Sequence, residues 1–325
     1  MKKFILKISF FVLLILLSLY PIDYIISKKL SVSKYYAEGE LIVWNDIFTG
    51  NINSDIVIYG SSRAWVQFSP RIFEDSLHIS TYNLGIDGHN FWLQYFRHKE
   101  LLKYNRKPKQ IILSLDIFSL SRRMDLYNYE QFLPYLLWNN EIIEYISSYN
   151  GFSFFDYYIP LIRYFGESDS FIAALLSFVN FRNSDPERVK GYKGRDWIWN
   201  NDLEKAKSAS EYYEASIDSA SVELFERFIN ECKKDEIEII LVYGPEFIEG
   251  QLFVKNRKEV IDIFHDFADK YDLNFYDYSE DEISFEKLYF YNAVHLNKTG
   301  SEKFTNKLIR RINAKMHNRS NLLPH

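Results

Sequence analysis

The chain has 325 residues, 39 basic and 44 acidic, for a formal net charge of −5. That balance excludes a strongly basic nucleic-acid binder. Apolar residues supply 47% and aromatics 18%, against 12 glycines and 8 prolines, so the composition is that of a folded chain with a large core. A single cysteine, Cys232, rules out an intramolecular disulfide. Without CxxC or HExxH spacing nothing points to zinc, and neither a metal nor a cofactor is expected.

Residues 1–29 read MKKFILKISFFVLLILLSLYPIDYIISKK. A basic start, an apolar run from Ile8 to Tyr20 and a softer continuation to Ile26 predict a transmembrane signal anchor. Cleavage is disfavoured, because the small residues Ser31-Val32-Ser33 lie beyond Lys28 and Lys29. Flanking lysines are balanced, so charge alone does not orient the helix. A linker is expected over 30–50, then one α/β domain over 51–313, with a polar tail over 314–325.

Within that domain the pattern alternates. SDIVIYG (54–60) predicts a first strand, and SPRIFEDSL (69–77) a helix with Ser69 as cap and Pro70 at its first position. STYNLGI (80–86) predicts a second strand, 90–105 a helix, and KQIILSLD (109–116) a third strand whose continuous apolar run suits a buried parallel position. EIEIILVYG (236–244) follows a long polar helix over about 203–234, and LNFYDYS (273–279) follows a helix over about 254–271. Thr299-Gly300-Ser301-Glu302 opens the last helix. Five strands with intervening helices predict a doubly wound, flavodoxin-like parallel sheet.

Residues 121–202 form an aromatic excursion too long for an ordinary crossover. Its runs FLPYLLW (132–138) and FIAALLSFVNF (171–181) are too short to span a bilayer. They are either core of the insertion or a surface against lipid. Trp197 and Trp199, two apart, would share one face of a strand and either stack on sugar rings or pack the insertion onto the scaffold.

Ligands of open α/β sheets bind beyond the carboxyl ends of the strands. Gly60-Ser61-Ser62-Arg63, Gly85-Ile86-Asp87-Gly88-His89-Asn90, Asp116, Tyr243-Gly244-Pro245-Glu246 and Tyr291-Asn292-Ala293-Val294-His295-Leu296-Asn297 all fall there. Three of these stretches resemble the conserved blocks of the SGNH (GDSL-type) hydrolases. Ile56-Val57-Ile58-Tyr59-Gly60-Ser61-Ser62 resembles the strand and Gly-Asp-Ser block, which puts the family's nucleophile on Ser62. Asn83-Leu84-Gly85-Ile86-Asp87-Gly88 resembles the Asn-x-Gly block, which implies an oxyanion-hole N–H from Gly88. Asn292-Ala293-Val294-His295 stands where the family has Asp-x-x-His, and the following Leu296-Asn297-Lys298-Thr299-Gly300 is similar to the membrane-anchored extracytoplasmic branch that acts on envelope polymers. The resemblance covers about 54–118 and 236–313.

The chemistry asks for these residue types independently. A serine nucleophile needs a base within hydrogen-bond reach, which His295 would be, and pre-placed N–H donors for the oxyanion. The family's side-chain donor after the third strand is absent, since Leu115-Asp116-Ile117-Phe118 stands there. Asn292 replaces the triad carboxylate, which leaves three readings. A Ser62–His295 dyad suffices; Asp116, Asp87 or Asp277 supplies the carboxylate; or catalysis is lost and binding kept. Arg63 either clamps an anionic group or pairs with Asp87 or Asp116, and Asn90 is a further binding candidate. The expectation is a membrane-anchored, extracytoplasmic serine esterase or O-acyltransferase acting on an acyl, chiefly acetyl, ester of an envelope glycan. Its alternative is an impaired scaffold that binds glycan or organises an envelope assembly.

Overall fold

The computed structural model describes residues 1–179 and 188–320, with side chains described as far as 315. The chain forms two compact units, Met1–Asp46 with Arg123–Glu187, and Ile47–Arg122 with Arg188–His325.

The second unit carries a five-stranded parallel sheet. Its strands are β1 (Ile56–Tyr59), β2 (Thr81–Asn83), β3 (Gln110–Leu115), β4 (Glu238–Tyr243) and β5 (Asn274–Asp277), in the order β2-β1-β3-β4-β5. This is the doubly wound order expected from the sequence. Central strands bury both faces. Ile56, Ile58, Ile112, Ile240 and Val242 pack with Phe68, Phe73, Phe304 and Leu308 on one side. Tyr59, which alternates with Ile58, meets His98 on the other, and His98 in turn meets Phe228. Helices fall where the apolar spacing puts them: Pro70–Leu77, Phe91–Tyr104, Arg257–Tyr271 and Lys298–Ser320.

Three expectations change. The long helix over 203–234 is two, Asp202–Ala209 and Ser219–Lys234. The intervening Ser210–Asp218 lacks a helical apolar stripe, and the Asp218 carboxylate restarts the helix by accepting the Ser221 N–H. The expected linker over 30–50 contains a 3-10 turn, Tyr36–Gly39, and a helix, Glu40–Phe48. Leu41, Val43, Trp44 and Ile47 there are buried, so this stretch belongs to the fold. The last helix runs through 314–320, where a polar tail was expected; 321–325 lie outside the described residues.

The first unit is built on the N-terminal helix, Lys2–Leu30. It is long and apolar enough to cross a membrane, with a mean hydropathy of 2.3 over its best window and none of that window buried. Its last turns are different: Asp23, Ser27 and Leu30 are buried. Asp23 takes both terminal nitrogens of Arg163 at 2.6 and 2.9 Å, the Trp138 indole N–H at 2.7 Å and the Leu161 N–H at 2.7 Å. Leu30, Leu41, Leu133, Tyr164 and Ala174 form the small core around this pair. Of the two apolar runs, Phe132, Leu133 and Leu136 are core. The other, as far as residue 179, is mostly exposed, and 180–181 lie outside the described residues.

Candidate active site

β1 is followed by Gly60, whose φ of +151° lies in a region that residues with a Cβ avoid. A Cβ there would come within 2.9 Å of the Ser114 carbonyl oxygen. The chain therefore turns abruptly and opens the short helix Ser62–Gln67. Ser61 is its cap, its hydroxyl accepting the Arg63 N–H at 3.2 Å. Ser62 sits in the first helical turn, at the carboxyl edge of the sheet.

The second loop is fastened to that helix by Asn83 at the end of β2. Its amide donates to the carbonyls of Ala64 and Phe68, both at 2.8 Å, and its Oδ1 accepts the Gly85 N–H at 2.9 Å. Gly88 follows in a turn at φ +70°. Asp87 beside it is half-buried. Asn90 donates to the Ser121 carbonyl, a contact that holds the chain after β3.

The third element is the loop before the last helix. Asn292 Oδ1 accepts the backbone N–H groups of Val294 at 3.1 Å and His295 at 2.9 Å, a side-chain turn of the kind Asx residues make. The same oxygen faces His295 Nδ1 at 3.0 Å. On the far side of the ring, His295 Nε2 lies 2.8 Å from Ser62 Oγ. An oxygen already accepting two N–H groups fixes the tautomer: Nδ1 carries the proton and donates to Asn292, leaving Nε2 to accept from the Ser62 hydroxyl. Downstream, Asn297 caps the last helix through the Gly300 N–H at 3.0 Å. A Cβ on Gly300 would meet the Tyr289 carbonyl oxygen at 2.3 Å, so the His-Leu-Asn-x-x-Gly spacing is a packing requirement of this loop.

Burial, with the positive charge of Arg63 adding to it, pushes the His295 imidazole down to about 3. No carboxylate opposes these two effects, so His295 is a neutral, proton-accepting imidazole across the physiological range.

The acids near the edge have other partners. Arg63, almost wholly buried, pairs with Asp116 at 3.1 Å and Glu246 at 3.0 Å, donates to the Gly244 carbonyl at 2.7 Å and lies over the Tyr243 ring. Burial alone would lower its pKa, but Glu246 and Asp116 reverse that and raise it. Of the expected alternatives for Arg63, the structure has the pairing with Asp116. Asp277 accepts the N–H and hydroxyl of Ser279 at the end of β5. Neither Asp116 nor Asp277 is the partner of His295.

Two contributors carry no assigned role in the sequence: Tyr291, within a stretch already singled out, and Gln67. Tyr291 stacks on His295, ring centroids 5.2 Å apart and 4° from parallel. The Gln67 side-chain amide donates to the Val294 carbonyl at 3.2 Å, while the Gln67 backbone carbonyl accepts the hydroxyls of Ser301 and Thr305. An aromatic two residues before Ala293 and a glutamine at the end of a short helix carry no pattern that marks them. Residues 188–200, expected within the insertion, belong to the sheet-bearing unit and pack on this loop: the Asn200 N–H donates to the Tyr291 carbonyl, and the Lys298 N–H to the Arg195 carbonyl. Trp199 packs edge-on to Phe247. Trp197 is half-exposed, edge-on to Tyr291, and borders an open depression of about 410 Å³ with Asp196, Ile198, Asn200 and Tyr291.

No family model and no curated protein matches the chain. Solved structures do. One described as an acylhydrolase from Bacteroides fragilis is 13% identical with a TM-score of 0.35, over 79% of this chain and 86% of the other. Another, described as a platelet activating factor from Streptococcus pneumonia, is 10% identical with a TM-score of 0.40, over 92% and 97%. A GDSL-like lipase from Bacteroides thetaiotaomicron is 12% identical with a TM-score of 0.32, over 79% and 88%. Superpositions this loose carry no functional argument, which rests on the chain's own motifs and geometry. The five-stranded α/β sheet is the fold that the SGNH resemblance implied.

Proposed function

We propose that the protein is a serine ester hydrolase or O-acyltransferase of SGNH type, held to a membrane by its N-terminal helix. The observation that carries the reading is the chain Ser62 Oγ, His295 Nε2 at 2.8 Å, and His295 Nδ1 to Asn292 Oδ1 at 3.0 Å. It is the nucleophile, base and orienting group of acyl transfer, with an amide in the third place.

In the first half-reaction Ser62 Oγ attacks the acyl carbonyl carbon as its proton passes to His295 Nε2. The tetrahedral oxyanion is held by the N–H groups of Ser62, at a helix start, and Gly88. The ester C–O bond then breaks, and His295 returns the proton to the leaving alkoxide. In the second, water or a sugar hydroxyl gives its proton to His295 and attacks the acyl-serine, and Ser62 leaves with the proton restored. The site demands neither a metal nor a cofactor. Asn292 orients the ring but contributes no charge to the imidazolium, so the enzyme is slow beside a carboxylate triad.

The substrate class is read from the family resemblance together with the N-terminal helix. An acyl ester, chiefly acetyl, on an envelope glycan fits an anchored domain facing outside the cytoplasm, and the exposed face of Trp197 offers a sugar-ring platform. Retention of the helix is supported by Asp23, whose loss would leave Arg163 buried without its counter-charge.

A second reading, a non-catalytic scaffold that binds glycan or organises an envelope assembly, is favoured by Asn292. Fluorophosphonate labelling of the detergent-solubilised protein separates the two, since it requires an activated hydroxyl. Labelling of wild type that is lost in Ser62→Ala and in His295→Ala, with circular dichroism unchanged, supports the enzyme; no labelling of folded wild type rejects it.

A further inference from the structure

The first compact unit presents an apolar face to its surroundings. Phe154 and Phe155 on the Phe154–Tyr158 helix are exposed, as is Phe165, at 91%. Ile172, Leu175 and Val179 are exposed along and just past the Ser168–Phe178 helix, Leu175 at 65%. Most charged residues of these segments are engaged; Asp169, in the first turn of the Ser168–Phe178 helix, is exposed. Arg163 is buried on Asp23, and Asp156 closes the capping box of its own helix with Ser153. Exposed apolar side chains gathered in this number on one unit mark an interaction surface.

The occupant is indicated by what the face adjoins. The Ser168–Phe178 helix packs against the N-terminal helix, and the Tyr20 hydroxyl reaches the Tyr158 carbonyl at 3.4 Å. Lys29 lies over the Phe178 ring at 4.6 Å. From Tyr20 to Lys29 the N-terminal helix rises roughly 13 Å. The face therefore begins at the level where the uninterrupted apolar span ends, and stops at the level of its terminal lysines. Trp138 sits edge-on to both Tyr20 and Tyr24, at 6.3 and 5.3 Å, while Lys28 lies over Tyr24. Tryptophan, tyrosine and lysine are the residues that collect at the headgroup level of a bilayer. The exposed face lies at the level of that belt, on the same unit.

We propose that this face is a lipid seat: the Phe154–Tyr158 and Ser168–Phe178 helices lie in the headgroup and upper acyl region of the membrane that the N-terminal helix crosses. Short amphipathic helices bury an apolar side about 5–10 Å deep in that region without spanning it. The buried Asp23–Arg163 pair fixes the depth, because it joins the end of the span to the segment carrying Phe165. The inference does not depend on the catalytic reading.

The test uses the full chain with single cysteines carrying an environment-sensitive fluorophore, in phosphatidylcholine vesicles with doxyl-labelled lipid, and iodide on both sides of the bilayer. Native Cys232 is buried and stays unlabelled. Val12→Cys marks the embedded span, and Leu252→Cys, on the sheet-bearing unit and 77% exposed, marks water. Phe165→Cys and Leu175→Cys are expected to lose more than half their emission to shallow doxyl lipid and to resist iodide, as Val12→Cys resists it. Emission at both sites that follows Leu252→Cys overturns the proposal. Shielding from both quenchers also overturns it and assigns the face to a second copy of the chain.

Discussion

Ser62 and Arg63 are neighbours in sequence and face opposite electrostatic solutions. Arg63 has two carboxylates, Asp116 and Glu246, within about hydrogen-bond distance and almost no exposure. His295, which bonds Ser62, has an amide oxygen and no carboxylate. Asp116 and Glu246 are committed to a permanent cation that ties the helix after β1 to the ends of β3 and β4. The group that must become a cation only during reaction is left without a carboxylate. Stability and catalysis thus draw chiefly on different charges, although the Arg63 charge also helps to hold the His295 imidazole down.

The largest effect should come from giving His295 what Arg63 has. Asn292→Asp places a carboxylate 3.0 Å from Nδ1 if the side chain keeps its position. It should raise the fluorophosphonate reaction rate, by up to the roughly 10⁴-fold that the reverse change costs a serine protease. It should also move the acid limb of the rate profile to higher pH, because a nearby negative charge favours the imidazolium. A rate that is unchanged or lower, in a folded variant, would mean that the orienting role of Asn292 was already sufficient.

Next is the converse experiment on the permanent cation. Arg63→Met leaves Asp116 buried without its counter-charge and Glu246 with Arg257 alone, at 3.7 Å; removing one partner of a buried pair typically costs about 3–5 kcal/mol. Thermal unfolding in detergent should show a large fall in Tm, whereas Ser62→Ala, which removes one hydrogen bond, should shift it only slightly. Equal losses for the two variants would show that the Arg63 cluster is not the stabilising centre described above.

How much of this was legible in the sequence follows the same division. The strands were legible because β1, β3 and β4 are buried on both faces and read as continuous apolar runs. Ser62 and His295 were legible because loop chemistry at strand ends is compressed into short spacings such as Gly60-Ser61-Ser62 and Asn292 to His295. The partners of Arg63 were only half legible: Asp116 follows a strand, but Glu246 pairs across a sheet whose order must be known first. The Asp23–Arg163 pair was not legible at all. An acid inside an apolar helix and an arginine 140 residues later carry no local signal, so 30–50 read as a linker when its apolar residues are core. The exposure of the second insertion run was equally hidden, since a run of 10–14 apolar residues suits burial and lipid alike.

The smallest effect is a pH dependence of stability that two histidines, the half-buried His295 and the buried His98, impose. His295 and His98 are both held down to about 3, His295 by burial and Arg63, His98 by burial with Lys99 adding to it. In the unfolded chain each titrates near about 6.5. Above that value neither state binds the protons, and the histidines leave stability independent of pH. Below it the unfolded chain takes up protons that the folded chain refuses, so stability falls as pH drops toward 3, by at most about 1.4 kcal/mol per pH unit for each histidine. Between pH 6.5 and 5 few carboxylates titrate, and the slope is the histidines' own. Unfolding midpoints of wild type should fall across that window, and His98→Phe, which removes one group from the balance, should flatten the slope by about half. His98 is the informative choice because it lies under the sheet against Tyr59, Phe228 and Cys232, far in role from Ser62, so the labelling rate of the variant reports separately whether the site survived. A slope that His98→Phe leaves untouched would mean that His98 is protonated in the folded chain, and that the interior beneath β1 admits a charge.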